Sequence, residues 1–128
     1  MPDKTNTQKL LIKEGYRVWY IHPPQNIAEL LGDLPGGAEV VNHPEAPVDF
    51  ILAFIVDRKE LEKHLGELKQ MIKPKGLLWI AYYKGTSKIK TDINRDSIHA
   101  YGRTLGLEGI TMISLDDDWS AMRFKFAE

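Results

Sequence analysis

A chain of 128 residues, 43% of them hydrophobic, is long enough for one buried core and short for two. Its 17 basic residues against 18 acidic ones leave no overall field to draw in a nucleic-acid backbone or an anionic membrane, and neither partner is expected. With no cysteine, disulfides, thiol nucleophiles and thiolate metal sites are excluded, and a cytoplasmic location is expected.

Residues 1–8 are polar, without the apolar centre of a signal peptide, and are read as a flexible lead into a single domain over 9–128. Lys9 to Lys13 is read as a short turn closing one end of the core. Tyr16 to Ile21 is a run of aromatic and β-branched residues halted by Pro23 and Pro24, which predicts a strand. Asn26 is placed to cap a short helix that carries Ile27, Leu30 and Leu31 inward, and Gly32 to Gly37 end it. Glu39 to Val41 follows as a brief strand.

Val48 to Val56 is apolar apart from Asp49, the pattern of a strand covered on both faces. Leu61, Leu65, Leu68, Met71 and Ile72 recur near every 3.6 residues, predicting a helix over 58–73 that Pro74 and Gly76 stop. Leu77 to Tyr82 is the next buried strand, and Thr91 or Asp92 is expected to cap a helix running to Leu105. Ile110 to Leu115 and Trp119 to Phe126 are joined only by Asp116, Asp117 and Asp118, too short a link for a crossover, so these strands are antiparallel. The order predicts a three-layer, Rossmann-like α/β domain: a mostly parallel sheet with a C-terminal antiparallel hairpin.

Two segments give this order a family likeness. Met71-Ile72-Lys73-Pro74-Lys75-Gly76-Leu77 resembles the approach to the fifth strand of class I S-adenosylmethionine (SAM)-dependent methyltransferases, and Val48-Asp49-Phe50-Ile51 resembles their fourth strand. The gap between Val41 and Val48 leaves no room for the helix and strand that follow the second strand in those enzymes, so one sheet edge is expected to be trimmed. The whole chain is also similar to a family of small bacterial domains with no assigned activity. That likeness rests on the segments Lys9 to Val18, Glu29 to Pro35, Lys90 to Asp96 and Asp116 to Phe124. It implies the methyltransferase-like fold and names no substrate.

A methyltransferase cofactor loop needs glycines after the first strand and an acid at the end of the second. This chain has His22-Pro23-Pro24-Gln25-Asn26 and then Asn42-His43. The prolines remove backbone donors and an amide lacks a carboxylate's charge-assisted bond, so no cofactor is expected and SAM binding is disfavoured. The candidate ligand or partner edge is instead placed off the carboxyl ends of the strands, where ligands of open α/β sheets sit. It comprises His22, Asn42, Asp57, Arg58, Lys84, Lys88, Lys90, Asp92, Arg95, Asp96, Asp117 and Trp119. Its lysines suit a small anion or a protein partner, against the plainer reading of a solvated loop.

Three adjacent aspartates are ordinary turn residues, the histidines lack ligand spacing, and no G-x-S-x-G elbow is present, so no metal or catalytic residue is assigned. The leading expectation is a non-catalytic binding or interaction module. The alternatives are a SAM-dependent methyltransferase with an atypical pocket and a homodimer formed through a sheet edge, with Val40 at its centre.

Overall fold

A computed structural model describes residues 5–89 and 91–127. In chain order the elements are α1 (Asn6–Lys9), β1 (Arg17–Ile21), α2 (Ile27–Leu31), β2 (Glu39–Val41), β3 (Val48–Phe54), α3 (Arg58–Met71), β4 (Ile72–Tyr83), α4 (Arg95–Thr104), β5 (Leu107–Ser114) and β6 (Trp119–Phe126). They build one six-stranded sheet in the order β2-β1-β3-β4-β6-β5. The first four strands of that order are parallel, and β6 runs antiparallel to both β4 and β5. This is the methyltransferase-like, Rossmann-like arrangement, with β2 left as one edge and β5 as the other.

Residues alternate between two cores because successive side chains of a strand face opposite ways. Ile51, Leu78, Ile80, Met122 and Phe124 meet Leu61, Leu65 and Leu68 of α3 and Ile98 of α4 on one face. Phe50, Leu52, Phe54, Trp79 and Ala81 meet Leu10, Ile12 and Leu31 on the other. Every residue from Phe50 to Phe54 is buried, which is why β3 reads as an unbroken apolar run. Among the described residues no helix is long and apolar enough to cross a membrane.

Asp49 is the single polar residue of β3, and the fold uses both of its oxygens. Oδ2 accepts the Arg17 N–H at 2.8 Å where β1 begins, and Oδ1 accepts Lys73 Nζ at 2.9 Å. Burial alone pushes the carboxyl up, but the Arg17 N–H and the Lys73 ammonium outweigh it, and its pKa lies below the usual aspartate value. A depressed native pKa contributes stability that is present above the unfolded-state pKa and is lost as pH falls through the folded one. Asp49→Asn should therefore cost about 1 kcal/mol at neutral pH and flatten the loss of stability below about pH 4. Urea unfolding at neutral and acid pH checks this, and parallel losses in the two proteins would refute it.

Three local expectations are corrected. Asn6–Lys9, which begins inside the stretch 1–8 expected to be a flexible lead, is a helix with a capping box between Thr5 and Gln8. Thr7 Oγ1 donates to the Leu31 carbonyl at 3.0 Å and Asn6 Nδ2 donates to the Leu30 and Leu115 carbonyls, which docks this turn onto the domain. Residues 1–4 lie outside the described residues. The cap of α4 is Asn94, paired with Ser97 in a capping box, rather than Thr91 or Asp92. Thr91 bonds locally to Ile93, and Asp92 Oδ1 accepts the Arg58 N–H at 2.8 Å, at the first turn of α3. Finally, β4 starts at Ile72 rather than Leu77, because Ile72 already pairs with Val48 before the register shifts.

Candidate functional site

The carboxyl ends of β1, β2, β3 and β4 converge on one edge, and the candidate residues divide there into two groups. At the first, β1 leaves the sheet through His22, whose backbone φ of 51° is left-handed. Few residues other than glycine adopt that region, and histidine is among those enriched there. The imidazole turns towards α3, with Nδ1 3.7 Å from Glu60 Oε1 and the ring edge-on to His64 at 5.2 Å. Glu60 Oε2 in turn accepts the Val56 N–H at 3.1 Å. Asn42 stands exposed at the end of β2, followed by His43, also left-handed at 47°. Asp57 is committed to α3, its Oδ1 accepting the Glu60 N–H at 2.9 Å, and Arg58 is engaged by Glu62 at 2.7 Å.

The second group surrounds an open cleft of about 670 Å³ between the end of β4, the start of α4 and the hairpin. That volume lies within the range of small-ligand sites. Tyr82, Ile93 and Met112 form its apolar wall, while Lys84, Thr86, Asn94, Arg95, Asp96 and Ser120 supply polar groups. Arg95 Nε and Asp96 Oδ1 are 3.5 Å apart and both side chains are exposed, so the pair is weak and open to exchange with a ligand. The Tyr82 hydroxyl donates to Met112 Sδ at 3.2 Å. Burial pushes its pKa up, with Asp96 adding to this and Arg95 opposing it, which leaves a neutral hydroxyl at physiological pH.

The loop after β4 is anchored rather than merely solvated. Lys84 N–H donates to the Asp118 carbonyl at 2.8 Å, Ser87 Oγ donates to Asp118 Oδ1 at 2.9 Å, and Lys84 Nζ donates to Ser114 Oγ at 2.6 Å. Ser87 is one of the few buried polar residues, and its hydroxyl also accepts the Ile89 N–H. Lys88 is exposed, Lys90 lies outside the described residues, and Asp117 is exposed at the tip of the hairpin turn.

Trp119 is a core residue and not part of an accessible edge. It is 9% exposed, stacked on Tyr83 at 4.1 Å and edge-on to Phe54 at 5.0 Å, because its position in β6 turns it to the α1 face. Tyr82, Asn94, Met112 and Ser120 were not anticipated. Only the N-x-x-S spacing of Asn94 and Ser97 carried a local signal for any of them.

No family model and no curated protein matches the chain. Solved structures do. A ribosomal protein L11 methylase from Lactobacillus delbrueckii subsp. bulgaricus matches with a TM-score of 0.64 at 8% identity, over 96% of this chain and 75% of that one. DhpI in complex with SAH matches at 0.63 and 10% identity, over 91% and 78%. A SAM-dependent methyltransferase from Aquifex aeolicus matches at 0.62 and 15% identity, over 94% and 89%. The fold is therefore that of methyltransferases, with β2 at one edge of the sheet.

The expectation of no cofactor is corrected by these comparisons, since the structures sharing the fold include SAM-dependent methyltransferases and a complex with SAH. The left-handed position at the end of β1 is His22, which adopts it without being glycine, and the prolines come only after it.

Proposed function

We propose that this domain binds an adenosyl ligand of the SAM class across the carboxyl edge of its sheet. The observation that carries this reading is the left-handed turn at His22, where β1 leaves the sheet at the same edge as the exposed Asn42 amide. The fold shared with SAM-dependent methyltransferases supports it. The residues fit such a ligand through side chains more than through backbone. Pro23 and Pro24 have no N–H to offer, whereas Asn42 presents a donor and an acceptor suited to the paired hydroxyls of a ribose. Asp57 keeps its cap. Bound SAM supplies an activated methyl group. The chain's own part is to orient the nucleoside at Asn42 and to hold a second, anionic molecule near Lys84 and Arg95 in the cleft.

Calorimetry with SAM and SAH tests the reading. Dissociation constants on the order of 10–100 µM are expected, for an open site with few charged contacts. Asn42→Asp should tighten binding by roughly fivefold, because a carboxylate accepts from a hydroxyl about twice as strongly as an amide does. Absence of heat at about 1 mM ligand, in both the wild type and Asn42→Asp, would end this reading.

A further inference from the structure

We infer that β5 is a dimerisation edge whose occupant is a second copy of this chain, paired antiparallel about a two-fold axis. Among the described residues the sheet has two edges without a neighbouring strand, and they differ. β2 has three residues, and Val40 is its one exposed large apolar side chain. β5 has eight residues and exposes two, Ile110 at 38% and Met112 at 44%. A long edge strand with apolar side chains in the open is a template for another strand, because alternate backbone N–H and C=O groups point outward unpaired.

Charge selects the partner. At the start of β5, Arg103, Glu108 and Lys125 surround one recess, two cations against one carboxylate, with Lys125 Nζ 4.0 Å from Glu108. At its end stand Asp116, Asp117 and Asp118, faced by the ammonium groups of Lys84 and Lys9, which reach Ser114 at 2.6 and 3.4 Å. Among these described side chains the excess is one positive charge at one end and one negative charge at the other. Antiparallel pairing centred near Thr111 sets the aspartate turn of one copy beside Arg103 and Lys125 of the other, twice by symmetry.

The added strand would also form the outer wall of a groove of about 290 Å³ between α4 and β5. His99 lines that groove, and its Nε2 is the only buried side-chain nitrogen or oxygen among the described residues with no hydrogen-bond partner.

Sedimentation velocity of the full chain over a concentration series tests the inference. A dimer with a dissociation constant on the order of 10 µM is expected, weakening as salt is raised. Met112→Lys should leave a monomer, and Ile110→Lys serves the same purpose if circular dichroism shows the first variant unfolded. Asp117→Lys should weaken the dimer at least about tenfold, and adding Lys125→Asp should restore most of the loss. A wild type that stays monomeric at about 1 mM would overturn the proposal. So would a dimer that Val40→Glu dissociates and Met112→Lys does not.

Discussion

Trp79→Ala is expected to remove a large part of the domain's stability, about 4 kcal/mol, within the range for deleting a buried aromatic side chain. Trp79 is fully buried in β4, one of the two central strands of the sheet, where its register partner on β3 is Leu52. Its indole N–H donates to the carbonyl of Leu10 at 3.1 Å, across 69 residues of chain. One side chain therefore does two things: it fills the core on the α1 face, and it satisfies a buried carbonyl at the end of α1. Trp79→Phe separates the two, since it keeps most of the volume and leaves the carbonyl without its donor. A cost of about 1–3 kcal/mol is expected for the phenylalanine variant. Domains have only about 5–15 kcal/mol in total, so the alanine variant should melt roughly 15 °C lower. Urea unfolding of both variants decides the matter. Equal losses would mean that the hydrogen bond, and not the packing, dominates at this position.

Gly102→Val is expected to cost about 3 kcal/mol, at a helical position where glycine is normally the poorer choice. A Cβ built at Gly102 would stand 2.5 Å from Cε1 and 2.9 Å from Cζ of Phe124. Phe124, on β6, is 2% exposed and packed in the core beneath α4, so its ring must shift to admit a Cβ. Helix propensity alone would make Gly102→Ala stabilising by about 1 kcal/mol. The close approach should reverse that sign. Pairing either substitution with Phe124→Leu should recover part of the loss, a non-additivity expected of side chains in direct contact. A stabilised Gly102→Ala variant would show that α4 can lift from the sheet at no cost. The consequence reaches the candidate site, because α4 carries Arg95 and Asp96 on the wall of the cleft and His99 in the groove beside β5.

The sequence by itself determined the layer structure. Leu61, Leu65 and Leu68 recur at the helical period and are the buried residues of α3, and the apolar run from Phe50 to Phe54 is buried on both faces. The short link through Asp116 to Asp118 forced an antiparallel hairpin, and the short gap after Val41 left β2 at an edge. These features depend on periodicity and chain length, which act over a few residues. Only the tertiary structure decided the rest. Thr91, Asp92 and Asn94 can all accept an N–H, and the choice of Asn94 followed once Asp92 was drawn to Arg58, 34 residues away. Trp119 went to the core because the pairing of β6 with β4 fixed which face it presents. The turn at His22 kept its left-handed shape without a glycine, and the cleft exists only where β4, α4 and the hairpin meet. Each of these depends on groups far apart in the chain competing for the same donors and the same space, which no local pattern encodes.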